Sequence, residues 1–214
     1  MLGPKGARHM VQLVNASNRQ LMSDLVRQMH ADRKRIFVDW LDWDVPHDGI
    51  LEQDQFDTPD AEYLILADSD GCHLGSVRLL RTDEPHLLSE IFPGLCEGPI
   101  PSGPHLREIT RLCVSPSCPS DQRGQVMCAI VTALTEYALL QDLAGYTLVS
   151  DVDFLQRIIS TGWRCEMLGM PERCGADMVA ALRVHIDAAT IPELRKRGIY
   201  TSPRLVLTQE LEAA

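Results

Sequence analysis

Arg107-Glu108-Ile109-Thr110-Arg111-Leu112-Cys113-Val114, closed by Ser115-Pro116, is the stretch that decides the fold. Its β-formers end at a proline, so it reads as a strand. Gln125–Leu140 follows with the longest helical pattern in the chain, Val126, Ile130, Leu134, Tyr137 and Leu140 recurring on one stripe. Thr147-Leu-Val-Ser150 then returns as a strand. Working outward, Tyr63–Ala67 is a short apolar run closed by the turn Asp68-Ser-Asp-Gly71, with Leu74–Leu80 as its hairpin partner. Upstream, Leu21, Leu25 and Met29 predict a helix over Asn18–Asp32, and Arg33–Trp43 continues or restarts it before Pro46. Asp48–Glu62 is acidic and irregular. Downstream, residues 153–160 read as a helix and Met178–Ile186 as a strand. The order helix, strands, helix, strand, helix, strand predicts an α/β (α+β) fold. It forms a single domain over 1–214, with helices packed on a mixed sheet and Met1–Met10 as a loose terminus.

Composition narrows the function. The 214 residues carry 20 Lys+Arg against 30 Asp+Glu, a net charge of −10. That argues against a general nucleic-acid binder, which presents a basic face. No stretch approaches about 18 uninterrupted apolar residues, and the N-terminus lacks the apolar core of a signal peptide; the expected location is the cytoplasm. Seven cysteines include no C-x-x-C pair and the seven histidines form no H-E-x-x-H, so neither a disulfide framework nor a metal site is expected. The glycine signatures of nucleotide loops and the G-x-S-x-G of hydrolases are missing as well.

Four stretches can carry chemistry. In Arg33-Lys-Arg-Ile-Phe37-Val-Asp-Trp-Leu-Asp-Trp43, a helix puts Arg33 and Phe37 one turn apart on one face. This is either a site that holds a ligand against aromatic rings or an amphipathic helix with Phe37, Trp40 and Trp43 in the core. Asp54-Gln-Phe-Asp57, inside the acidic run Glu52–Asp60, can converge on an ammonium group or an arginine, or be solvated. Arg78 alternates with apolar neighbours in its strand, so it is buried against a carboxylate or snorkels from an edge. Glu108 and Arg111 are three apart and face opposite sides of a regular strand; they share a site only if a bulge resets the alternation. A bulge would also free backbone N–H groups for an oxyanion. Ser120–Gly124, at a helix start, offers N–H groups to a phosphate or is an ordinary N-terminus.

Taken together these stretches resemble the LuxI-type acyl-homoserine lactone synthases, the autoinducer synthases of quorum sensing. Arg-x-x-x-Phe with a Trp six residues on is matched by Arg33, Phe37 and Trp43. Asp-x-x-Asp is matched by Asp54 and Asp57, the Arg-Leu-Leu strand by Arg78–Leu80, and Glu-x-x-Arg by Glu108 and Arg111, all in the family's order. The similarity runs from about residue 20 to 180. It implies a GNAT-like three-layer sandwich, a twisted mixed sheet flanked by helices, whose splayed central strands accept a phosphopantetheine arm.

The resemblance also implies the chemistry. S-adenosylmethionine and an acyl thioester give an N-acyl-homoserine lactone, methylthioadenosine and the free thiol carrier, with no cofactor beyond the substrates. Arg33, Phe37 and Trp43 would form the adenosylmethionine pocket, and Glu108 would take the amine's proton. Asp54 and Asp57 would fix the amine and anchor Arg78, while Arg111 would organise Glu108. Leu112, Cys113, Val114 and Ser150 would line the acyl and pantetheine path, with N–H groups near Val114 for the thioester oxygen. Leu112-Cys113 stands where the family frequently has Phe, which changes the wall near the acyl group; the resemblance is to a subgroup in which some members take coenzyme A thioesters, so acyl-CoA is expected over acyl carrier protein, although charge alone does not decide between two anionic donors. Two rivals stand beside this reading: a GNAT acyltransferase for a different amine, binding coenzyme A near Gln122–Gly124, and a binding module without turnover.

Overall fold

The computed structural model describes residues 10–207, so the expectation for Met1–Met10 falls, Met10 apart, outside them. Among these residues nine strands form one sheet: β1 Val11–Val14, β2 Glu62–Ala67, β3 His73–Arg81, β4 Leu106–Val114, β5 Gly145–Asp151, β6 Arg164–Met167, β7 Glu172–Cys174, β8 Asp177–His185 and β9 Leu205–Val206. Their spatial order is β6-β8-β5-β4-β3-β2-β1-β9, with β7 also paired to β8. Helices α1 (Ser23–Arg33), α2 (Leu87–Glu90), α3 (Arg123–Leu140), α4 (Val152–Ser160) and α5 (Thr190–Lys196) flank it, and a wide helical segment, Lys34–Trp40, extends α1.

The largest core lies between the sheet and α3, α4 and α5. Ile109 of β4, Tyr146 and Leu148 of β5 and Leu182 and Val184 of β8 meet Val126, Ile130, Leu134 and Tyr137 of α3. Each such aliphatic side chain taken out of water contributes about 1.5–3 kcal/mol. The opposite face is divided. Leu25 and Met29 of α1 pack on Val14, Tyr63, Ile65 and Leu80, while Leu88 of α2 packs with Leu95 on Ala181, joined by Val149. Between those two patches β4 presents Glu108 and Thr110 instead of apolar residues.

Pairing between β4 and β5 is parallel from Leu106↔Gly145 to Ile109↔Leu148. It ends there, although β4 runs on to Val114 and β5 to Asp151. The two central strands therefore splay, leaving a notch in mid-sheet.

Some boundaries differ from expectation. α1 begins at Ser23 rather than Asn18, because the Asn18 side chain instead ties the turn after β1, donating to the Leu13 carbonyl and accepting from Asn15 N. Leu21 is consequently exposed, as is Leu140 at the frayed end of α3. Lys34–Trp40 is not α-helical but π-helical, with Leu41 N donating to Ile36 O. Its wide turn buries Ile36 and Phe37 together and leaves Trp40 67% exposed, so Trp40 is not a core residue.

Candidate active site

β4 contains the bulge that the Glu108–Arg111 spacing requires. Against β3 the register passes from Ser76↔Cys113 to Arg78↔Thr110, so β4 carries one residue more than its partner. Arg111 absorbs it with φ 51°, a left-handed conformation unusual outside glycine. Beyond the bulge Leu112 and Val114 pack toward α3 while Cys113 meets Ile36 and Phe37. Glu108, Thr110, Arg111 and Cys113 thus share the face toward α1, as bulges near sites of function arrange.

On that face three arginines and three carboxylates close into a ring. Arg33 donates through Nε to Glu52 and forks both terminal nitrogens onto Asp57 at 2.8 Å. Arg78 forks onto Asp54 at 2.6 and 3.0 Å and reaches Asp57 at 2.9 Å. Arg111 joins Glu52 at 3.0 Å to Asp54 at 2.7 Å. Each guanidinium bridges two carboxylates and each carboxylate is shared by two guanidiniums, so the buried charges sum to zero. Tyr63 Oη and Asp54 N donate to Asp57 as well, at 2.8 and 2.9 Å.

The ring determines protonation. Burial raises the carboxyls of Asp54 and Asp57, but the arginine bonds and charges outweigh it and hold Asp54 below and Asp57 well below the usual range. Both stay ionised as acceptors, which suits positioning and not proton transfer. Glu108 is different. It is fully buried, its oxygens accept from Leu87 N at 2.7 Å and Leu88 N at 2.8 Å, and burial pushes its carboxyl up to about 7 against those bonds and the charge of Arg78. A carboxyl poised near neutrality is equipped to take and return a proton.

Phe37 and Trp43 stack, centroids 4.8 Å apart with planes 18° from parallel. Asp42, at φ 54°, turns the chain so that Trp43 N reaches Phe37 O. The Arg111 guanidinium sits 5.5 Å from the Phe37 ring and 6.0 Å from that of Trp43, coupling the aromatic pair to the ring of charges. Trp43 remains 38% exposed and is not a core residue.

The structure therefore brings together Arg33, Phe37, Trp43, Asp54, Asp57, Arg78, Glu108, Arg111 and Cys113. One of the expected contacts is not made. Arg111 bonds Glu52 and Asp54, not Glu108; Arg78 lies between them, donating through Nε to Thr110. Arg33 is buried, with its guanidinium on two carboxylates. Ser150, by strand alternation from Leu148, faces α3 and α4, away from the ring, with its hydroxyl on Asp151. The Cys113 thiol, raised to about 11 by burial, is a packing group. Glu52 was missed: it lay in an acidic run that normally stays solvated, and its only local signal is Leu51, an apolar neighbour.

Comparison with known proteins agrees with the site. The sequence model of the autoinducer synthase family matches residues 17–194. An acyl-homoserine-lactone synthase of Ralstonia solanacearum is 33% identical over 82% of this chain and 89% of its own length, and one of Ralstonia nicotianae is 36% identical over 80% and 87%. Among solved structures, BjaI, a CoA-dependent acyl-homoserine lactone synthase with SAM and isopentyl-CoA, superposes with a TM-score of 0.84 at 27% identity, covering 94% of this chain and 93% of its own. An acyl-CoA N-acyltransferase from Pseudomonas aeruginosa, 16% identical with a TM-score of 0.52, over 80% of this chain and 95% of its own, shares the fold alone. With the bulged strand, the splayed sheet and the ring of charges in place, the chain belongs to the autoinducer synthase family and is an enzyme, an acyl-homoserine-lactone synthase.

Proposed function

We propose that this enzyme acylates the amine of S-adenosylmethionine from an acyl-coenzyme A and then closes the homoserine lactone. The observation that carries the mechanism is the separation of one labile carboxyl from three locked ones. Glu108 alone at the site is paired with neutral N–H groups rather than arginines, so it takes the proton as the amine attacks the thioester carbonyl. The pantetheine arm lies in the notch between β4 and β5, where the β5-facing N–H groups of β4 near Val114 lie beyond the end of the β4–β5 pairing and receive the carbonyl oxygen as it becomes anionic. The free face of Trp43 holds the adenosyl group. Glu52, Asp54, Asp57, Arg33, Arg78 and Arg111 hold that geometry before substrate arrives. In the second step the substrate carboxylate attacks its own γ-carbon, the carbon–sulfur bond breaks and methylthioadenosine leaves.

Coenzyme A is favoured as carrier because BjaI and MesI, similar over more than nine-tenths of this chain, are both described as CoA-dependent. Purified enzyme, adenosylmethionine and a panel of acyl-CoA and acyl-carrier-protein thioesters, followed by mass spectrometry, test this. One dominant acyl-homoserine lactone plus methylthioadenosine from the CoA series is expected. Turnover with carrier protein only would overturn the donor assignment. Glu108→Gln should lose acylation and keep adenosylmethionine affinity within a few-fold; full activity would remove Glu108 from the mechanism.

A further inference from the structure

The three carboxylates of the ring belong to a stretch, Glu52 to Asp57, that lies outside every helix and strand named above. Charge alone does not fix such a stretch. Glu52 and Asp54 both bond Arg111, and Asp54 and Asp57 both bond Arg78, so a chain slipped by two or three residues would still offer a guanidinium a carboxylate. A slipped chain would lose its main-chain bonds, and α1 supplies these through one residue. Glu52 N donates to His30 O at 3.1 Å, and His30 Nδ1 meets Glu52 O at 2.9 Å. His30 is one helical turn before Arg33, which takes the Glu52 side chain, so one face of α1 holds both the backbone and the carboxylate of Glu52. The His30 ring also meets Tyr63 edge-on, centroids 6.1 Å apart with planes at 79°, and Tyr63 Oη donates to Asp57 at 2.8 Å. Both ends of the stretch therefore rest on His30, Glu52 directly and Asp57 through Tyr63. Only one form of the imidazole fits. A carbonyl oxygen accepts, so Nδ1 carries the hydrogen, and Nε2, 3.3 Å from the Gln53 amide nitrogen, is the acceptor. His30 is buried, and burial followed by the charge of Arg33 holds it below its ordinary pKa and keeps this neutral form, against Glu52 and Asp57.

We propose that His30 is a positioning residue for the adenosylmethionine half of the site: its bonds to the Glu52 main chain set the register of Glu52–Asp57 on the three arginines. Arg111, held by Glu52 and Asp54, is in turn the guanidinium against the Phe37 and Trp43 rings. Main-chain reading of this kind gives buried charges a unique pairing, which their mutual attraction does not. His30 makes no bond to β4 or β5, whose splay follows from where their own pairing ends, so the acyl-donor notch does not depend on it. This rests on the reading in which the aromatic pair holds adenosylmethionine.

Steady-state kinetics on the full-length enzyme and three variants test this. His30→Leu removes the donor, and His30→Gln moves it to the Nε2 position, out of reach of the Glu52 carbonyl. Both should raise KM for adenosylmethionine about fivefold, the equivalent of one hydrogen bond, and leave KM for acyl-CoA within twofold. His30→Asn places an amide N–H at the Nδ1 position and should bring KM for adenosylmethionine back to within twofold of wild type. A merely structural role would lower the folded fraction, so kcat would fall while both KM values stayed put. That result, an equal rise in the two KM values, or a glutamine variant as good as the asparagine one would each overturn the proposal. Were His30→Leu not to fold, the comparison of asparagine with glutamine, both amides, decides alone. Wild-type KM in His30→Leu beside a raised KM in Trp43→Ala sinks only this inference; an unaltered KM in Trp43→Ala sinks the adenosylmethionine site beneath it.

Discussion

Replacing Glu52 by Gln isolates what the ring of charges does. Glu52 is fully buried and joins Arg33 to Arg111. The substitution keeps the shape and removes one negative charge, so a neutral buried cluster becomes +1. Arg33 keeps its fork on Asp57 and Arg111 its bond to Asp54, but each then turns a donor toward the amide with at most one acceptor between them. Breaking a buried charge pair from one side costs about 3–5 kcal/mol. In a chain of this length that corresponds to a fall in Tm of about 6–20 °C. Thermal unfolding followed by far-ultraviolet circular dichroism measures it. A closed ring makes a second demand: Arg111→Met combined with Glu52→Gln restores neutrality, so the double variant should be less destabilised than the sum of the singles by more than about 1 kcal/mol. A single-variant Tm within 2 °C of wild type, or strict additivity, would refute a shared ring and leave a set of independent pairs.

Stability should depend on pH through Glu108. Its carboxyl rises from 4.5 to about 7 on folding, so the folded state binds the extra proton; the contribution, about 3 kcal/mol, is full below 4.5 and lost as pH rises through 7. Glu108→Gln should flatten that slope in urea titrations at pH 5 and 8, and an unchanged slope would assign it to another group. Trp43→Ala should raise KM for adenosylmethionine by about tenfold with little change in Tm, because Trp43 is partly exposed and contributes a ring face worth about 1 kcal/mol or more; an unaltered KM would remove it from the pocket. Gly75→Ala should destabilise by about 1–3 kcal/mol, since a methyl there would sit 2.7 Å from Val126 Cγ1 and 3.1 Å from the Cys113 carbonyl. A wild-type melting curve would show that α3 can move off β3 freely.

Local pattern carried the elements that bury one clean face. Val126, Ile130, Leu134 and Tyr137 announce α3 because all four meet the same sheet. Pattern fails where a polar tie competes with the backbone or a geometry lies outside the common repertoire. Asn18 spends its side chain on a turn and delays α1. The π-helical segment follows neither a 3.6 nor a 2 period, so periodicity placed Trp40 in a core that Trp40 does not enter. β1, α2, β6, β7, α5 and β9 were not read from the sequence; apart from α5 each spans only two to four residues, and their positions come from sheet pairing and tertiary packing. At the site, the spacing of Glu108 and Arg111 allowed a shared face only through a bulge and left open whether the strand has one. Which carboxylate meets which arginine was not legible, because Glu52 and Arg111 are 59 residues apart and converge only when the loop before β2 folds onto β4.

A ring of six buried charges is an expensive way to hold a fold, since apolar residues of equal volume are often at least as stabilising. Its form is better explained by what it does to the groups around it. Asp54 ties Arg78 to Arg111, and Arg111 reaches the stacked Phe37 and Trp43, so the aromatic face and the strand bearing Glu108 are fixed relative to one another through shared ion pairs and ring contacts. Three carboxylates are consumed in keeping the arginines satisfied. Glu108, one register step away on Leu80, is left to burial and two backbone N–H groups. Had Glu108 also been claimed by an arginine, its carboxyl would be driven down as those of Asp54 and Asp57 are, and the site would hold an acceptor with no affinity for a proton. Burial with only neutral N–H partners is thus what sets Glu108 apart from the three locked carboxylates.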